Sequence, residues 1–328
     1  MKKTLALLGA ILVVTSCTGA TESPGDSAQS GDVTLLAYDS FTPPEGIFSA
    51  FEDETGLRVN VVTGGDSGSV ISKAILTAGN PEGDVLWGVD NTTFSRAEDA
   101  ELFTDVAPVD EGDVCINYDK EWYASRTLEP PTSLDALITP TYKGQLVVQD
   151  PVNSSPGLAF LMATIAKYGD GWQNWWKALR ANDVLVVSDW TSAYTVEFSG
   201  SSGKGRYPLV VSYGSSPPAE VLYAATPIDE PPTGVIESTC FRQTEYVGTL
   251  RGADNPDGAK KLMEFLLGRQ FQESLPLSMF VFPVNPDAEL PQLFQKFAVR
   301  VTDPLQIPAD EIADKRDRWI DEWRAIVL

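Results

Sequence analysis

The stretch 33–89 decides the fold. It runs VTLLAYDSF (33–41), EGIFSAFEDETG (45–56), LRVNVVT (57–63), SVISKAILTAG (69–79) and GDVLWGV (83–89). The first, third and fifth segments are short and β-branched, bounded by Gly, Pro or Asp, and read as buried strands. Between them, Ile47, Phe48 and Phe51 share one helical face that ends at Gly56, and a second helical pattern ends at Gly79. Strand, helix, strand, helix, strand requires parallel neighbours joined by right-handed crossovers.

A second α/β set begins near Val114. Its strands are VCINYD, GQLVVQD, DVLVVSD and YPLVVSY; its helices start near Ser155, Thr191 and Pro217, with the short SLDAL before them. After Cys240 come an extended run, FRQTEYVGTL, and the helix PDGAKKLMEFLL. The chain closes on a helix in which Ile312, Trp319, Trp323 and Ile326 form one apolar stripe. Trp319 and Trp323 read as core, as do Trp172, Trp175 and Trp176 on an amphipathic segment.

Two such sets joined by two extended passes, near 113–118 and 239–247, predict a two-lobed α/β protein. Each lobe is expected to be a mixed, mainly parallel sheet flanked by helices, the lobes being joined by two hinge strands. The boundaries expected are 32–114 for the first part of lobe 1, 115–240 for lobe 2, and 241–328 for a return to lobe 1 with C-terminal helices, some of which can pack on lobe 2. Cys115 and Cys240 fall on the two passes, and a disulfide there would tie the hinge while leaving the lobes free to close.

The N-terminus carries a different message. Met1-Lys2-Lys3 and an apolar run to Val14 form a secretory signal over residues 1–16, too short to span a bilayer as a mature helix. Val14-Thr15-Ser16-Cys17 resembles a bacterial lipobox, which makes Cys17 the expected site of lipidation. Residues 17–31, rich in Gly, Ser and Thr, read as a flexible tether holding an extracytoplasmic domain at the outer face of the membrane.

Composition narrows the function. The 328 residues include 24 Lys and Arg against 46 Asp and Glu, and no His, for a formal charge of −22. Without imidazole there is no Ser/His/Asp triad, no Cys/His pair and no His-ligated metal. Such a negative chain repels phosphate backbones, so no nucleic-acid partner is expected. The sequence has no Walker loop, CxxC or G-x-S-x-G elbow, and neither a catalytic residue, a cofactor nor a metal site is expected.

Binding chemistry gathers instead at strand-to-helix corners, where open parallel sheets take their ligands. These corners are Tyr38-Asp39-Ser40-Phe41, Gly64 to Ser69 with Asp66, Asp150 to Gly157, Asp189 to Tyr194 with Trp190, and Ser212 to Pro217 with Tyr213 and Ser215. Ser155 and Ser216, each just before Pro, also read as helix N-caps. A Trp at a corner is costly to leave wet, so Trp190 is expected to stack on something flat. Phe280 and Phe282, taken alone, read as core.

Several strings resemble one family. Y-D-S-F from Tyr38, L-W-G-V-D-N from Leu86, N-Y-D-K from Asn117, Q-D-P-V-N-S-S-P-G-L from Gln149, D-W-T-S-A-Y from Asp189, L-V-V-S-Y-G-S-S-P from Leu209, Phe-Pro-Val near 282 and W-I-D-E-W-R from Trp319 are similar to bacterial periplasmic thiamine-binding proteins. These are solute-binding proteins of ABC importers with the type II periplasmic-binding fold. The resemblance spans residues 33–324. It implies a ligand gripped between the lobes by rings, with Tyr38 and Trp190 as ring contacts, Asp66 as acidic partner, Ser154 as hydrogen-bond donor and Tyr213 as a wall.

Asp39, Ser40, Asp90, Tyr194, Ser215, Tyr223 and Phe280 complete the expected site. Three family rings are displaced: a Trp falls at Glu45, a Tyr near Ala219 with Tyr223 one turn on, and a Trp at Phe280. The implied function is capture of thiamine or its phosphate esters by a monomer that delivers it to a permease. Within the same fold, polyamine binding through Asp39, Asp66, Asp90 and Asp189 is the rival, together with ferric iron, against which Tyr213 stands beside Gly214 rather than a second tyrosine. A secreted hydrolase with a carboxylate pair is the distant alternative.

Overall fold

A computed structural model describes residues 31–201 and 205–328. The signal segment, Cys17 and the tether up to residue 30 lie outside the described residues; Gly31, expected as the tether's last residue, already belongs to the first strand.

The strands are β1 (Gly31–Ala37), β2 (Leu57–Thr63), β3 (Val85–Asp90), β4 (Phe103–Asp119), β5 (Leu146–Gln149), β6 (Leu185–Val187), β7 (Leu209–Tyr213), β8 (Thr233–Leu250) and β9 (Phe282–Pro283). Within the described residues they form one sheet in the order β2-β1-β3-β8-β4-β7-β5-β6, with β9 on β4. The crossovers expected over 33–89 are present: β1 pairs in parallel with both β2 and β3. In the second set, β5 lies parallel to β6 and β7.

The two passes are far longer than the sequence suggests. β4 and β8 pair antiparallel from Phe103↔Leu250 to Asp119↔Thr233 and belong to both halves of the sheet. Their register slips between Val114↔Phe241 and Ile116↔Ile236, so β8 carries extra residues opposite Cys115. Cys115 and Cys240 are disulfide-bonded at this irregularity, with Cα atoms 4.2 Å apart, and both are buried. The bond closes a loop of 125 residues, which in the chain-entropy account stabilises the fold by about 4–5 kcal/mol.

Two large cores result, one on each side of this spine. One gathers Leu35, Phe51, Leu57, Ile71, Trp87, Leu262 and Phe271 around β1–β3. The other gathers Phe160, Trp176, Leu209, Val211 and Trp323. Helix Pro256–Leu267 returns to the first core, whereas the last helix, Ala309–Val327, puts Ile312, Trp319, Trp323 and Val327 into the second. Helix Ser49–Thr55 starts four residues later than Glu45, after a turn at 45–48, and ends on Gly56 at φ 70°. The segment expected as a helix from Thr191 is a single wide π-type turn, Ser192–Glu197.

Candidate functional site

The loops at the strand tips of both halves enclose a cavity of about 670 Å³, within the size range of small-molecule sites. β1 delivers Tyr38 and Asp39 at its carboxyl end, and the helix Ser67–Leu76 starts from Asp66. From the other half, the β6 corner delivers Trp190 and Tyr194, and β7 ends on Tyr213.

Trp190 stacks on Tyr194 with ring centroids 5.0 Å apart and planes 12° from parallel. Its indole N–H donates to Ser212 Oγ at 3.0 Å, which leaves the ring little freedom. Tyr38 donates its phenol to Glu245 Oε2 at 2.9 Å. Its ring lies over Gly88, where any Cβ would sit 2.8 Å from Tyr38 Cδ1; glycine is what lets the ring settle against β3.

The halves touch directly beside the cavity. Asp66 accepts from Ser67 N–H at 2.8 Å and, across the cleft, from Trp190 N–H at 3.2 Å. Ser155 N–H donates to Ser67 Oγ at 3.2 Å, and Gly68 N–H to the Asn153 carbonyl at 3.0 Å. A Cβ at Gly68 would stand 2.5 Å from the Val152 carbonyl oxygen, so a side chain there would force the halves apart. The lobes are therefore closed on each other.

Four carboxylates face the cavity, Asp39, Asp66, Glu220 and Glu245; no Lys or Arg is among the described residues lining it. Burial raises Asp66 above its ordinary value, opposed by the N–H groups of Ser67 and Trp190 and the Ser67 hydroxyl. Burial and the nearby acids Glu245, Asp66, Asp110 and Asp90 hold Tyr213 well above its ordinary value. The Asp66 shift reflects a dry site, and the Tyr213 shift reflects burial first and the nearby acids second.

Of the residues expected in the site, Tyr38, Asp39, Ser40, Asp66, Trp190, Tyr194, Tyr213, Tyr223 and Phe280 line this cavity. Three do not. Asp90 is fully buried, its carboxylate taken by the N–H groups of Thr92 and Thr93, the Gln243 amide and the Ser155 hydroxyl. Ser154 is buried at the lobe contact beside Asp66, and its position is that of an N-cap residue whose side chain makes no capping bond. Ser215 is buried and donates to the Phe280 carbonyl at 2.6 Å, so it holds the loop carrying a ring rather than a ligand. Phe280, read alone as core, sits in the left-handed region at φ 54° and packs edge-on to Tyr223 at 5.9 Å.

Glu220 and Glu245 were not legible as site residues. Glu220 accepts from Tyr194 OH at 2.8 Å. A signal for Glu245 existed: in FRQTEYVGTL, Gln243 and Glu245 share a face with Phe241 and Val247, which puts polar groups on a core-facing row.

This architecture, two α/β halves hinged on a pair of long strands and closed over a ring-lined cavity, defines an extracytoplasmic ligand-capture protein. The chain belongs to the family of bacterial extracellular solute-binding proteins, whose family model matches residues 89–303, and it is the substrate-binding component of an ABC importer. A thiamine-binding periplasmic protein of Salmonella typhimurium is 28% identical over 319 residues, covering 90% of this chain and 93% of that one. A solved periplasmic thiamin binding protein superposes with a TM-score of 0.81 at 25% identity, covering 90% of this chain and 96% of its own. A ferric binding protein from Campylobacter jejuni shares the fold at a TM-score of 0.70 and 18% identity, with 90% and 99% covered.

Proposed function

We propose that this chain captures thiamine, or a phosphate ester of it, between its lobes and presents it to the membrane permease. One observation carries the reading: stacked and edge-on rings from both halves share one inter-lobe cavity with four carboxylates and, among the described residues, no cation. A flat aminopyrimidine joined to a permanently positive thiazolium suits such walls through stacking and cation–π contact, each worth roughly 0.5–2 kcal/mol. Relatives named for thiamine over most of their length support the same ligand.

In this reading Tyr38, Trp190 and Tyr213 contact the rings, and Asp66 balances the positive charge. The protein acts as a receptor without turnover and as a monomer, anchored through acylated Cys17, a residue outside the described part of the chain. The ligand touches both lobes only when they are closed, so binding selects the closed form that the permease then recognises.

Thermal shift and tryptophan fluorescence against thiamine, its mono- and diphosphate, spermidine and ferric citrate test this. Thiamine is expected to raise the melting temperature and quench fluorescence, with Asp66→Ala and Trp190→Ala weakening both responses. A response to spermidine or iron alone would overturn the ligand, and unchanged thiamine binding in both variants would overturn the pocket.

A further inference from the structure

Glu245 differs from the other cavity acids because it sits inside a strand and not at a strand tip. It is 4% exposed, and its Oε2 accepts both the Tyr38 phenol and the Trp87 indole N–H at 2.9 Å. Directly opposite it in the β4–β8 pairing stands Asp110, 1% exposed, whose Oδ2 has no hydrogen-bond donor among the described residues. The nearby cations are committed elsewhere: Arg242 to Asp113, Arg300 to Glu111.

Two carboxyl groups this close and this dry cannot both ionise without a positive neighbour. The titratable groups facing the pair add to the difficulty, since Asp90 from β3, Glu111 from β4, Tyr38 from the β1 tip and Tyr213 from β7 are all acids. Burial pushes Glu245 up to about 7, and burial with the Glu245 charge holds Asp110 well above the carboxylate range. Asp110 is thus the member that keeps its proton near neutrality.

We infer that Glu245 is a specificity-determining residue that reads positive charge or an N–H donor on the ligand, and that cation entry expels one proton from the Glu245–Asp110 pair. The Glu245 O–H bond breaks, the proton leaves to bulk water, and the ligand's positive charge takes its place. The inference rests on the cationic ligand proposed above. It makes capture tighten as the medium becomes more alkaline through neutrality.

The test is the thiamine affinity of the wild type, Glu245→Gln and Asp110→Asn from about pH 6 to about pH 8.5, with calorimetry in two buffers to count protons released. In the wild type, affinity should rise with pH by up to about tenfold per unit below the Glu245 midpoint and level off above it, with close to one proton released at low pH. Glu245→Gln, which keeps the shape, should bind at least about tenfold more weakly at the alkaline end, with a flat profile and no proton release. Asp110→Asn, which copies the protonated carboxyl, should not move the midpoint to lower pH, because the Asp110 contact lowers the Glu245 pKa rather than raising it. Wild-type affinity and slope in Glu245→Gln would overturn the inference.

A ligand-free readout separates it from the vitamin assignment. The NMR signal of the Trp87 indole N–H, which donates to Glu245, should titrate near neutrality in the wild type and stay fixed in Glu245→Gln. Failure of the wild type to bind thiamine at any pH would end the thiamine reading, and the indole titration would still decide the pair: a signal flat across the range overturns it.

Discussion

Two regions of this protein rely on tryptophan, a cluster in the second core and the single Trp190 at the cavity, and they do opposite work. In the second core, Trp175 and Trp176 meet edge-on at 5.4 Å, and Trp176 meets Trp323 of the last helix at 5.5 Å. Trp176 and Trp323 are buried, and the Trp176 indole donates to Thr164 at 2.9 Å. At the cavity, Trp190 is only half-buried, stacked on one ring and bonded to a strand hydroxyl. The difference lies in position and not in residue type. Rings repeated every three or four residues along a helix are sealed by a facing helix, while a ring at a strand-to-helix corner has a wall on one side only.

The largest effects should come from breaking the sealed region. Trp176→Ala or Trp323→Ala should cost about 3–5 kcal/mol of stability, read by denaturant unfolding, with ligand affinity unchanged in whatever fraction stays folded. A cost below about 1 kcal/mol would mean that the second core does not depend on these rings. Next, Cys115→Ala with Cys240→Ala should lose about 2–5 kcal/mol, and addition of reductant to the wild type should reproduce the loss.

The cavity side of the comparison shows in binding. Gly68→Val should leave the melting temperature of the free protein nearly unaltered yet weaken ligand by more than about tenfold, because the valine meets the 152–153 carbonyls only when the lobes close. Equal affinities in the variant and the wild type would show that closure does not pass through this contact. Trp190→Ala should weaken binding by on the order of threefold to thirtyfold at little cost in stability.

The smallest expected effect sharpens the contrast with pH. A carboxyl raised on folding binds its proton more tightly in the folded state than in the unfolded state. Glu245 therefore contributes stability that is complete below the ordinary glutamate range and is lost as pH rises through about 7. Glu245→Gln should melt higher than the wild type at alkaline pH and converge with it in acid, while binding cation less well. A residue that lowers the stability of the empty protein and assists the occupied one is the reverse of the sealed tryptophans.

Much of this organisation was legible beforehand. The alternation over 33–89, the cysteines on two extended passes and the polar corners all follow from local periodicity and turn chemistry. What failed has a common cause. Asp90 and Ser215 occupy corners, yet their side chains are consumed by Ser155 and Gln243 and by the Phe280 carbonyl, while Ser154 is buried at the lobe contact with its hydroxyl unpaired among the described residues. Those partners lie far along the chain. Glu245 was missed for the converse reason: its polar side chain on a core-facing row of the strand was a sign, but nothing local says which residue of that row opens into a cavity.

The sequence by itself determined the elements and their order, the two hinge passes, and the excess of acid over base, because each follows from residue type and spacing along the chain. The tertiary structure alone decided that the last helix seals the second core, that Ser215 holds a loop, and that Glu245 and Asp110 face each other with no cation among the described residues to pair them. These depend on which distant side chains arrive at the same place, and on how much water is left there when they do.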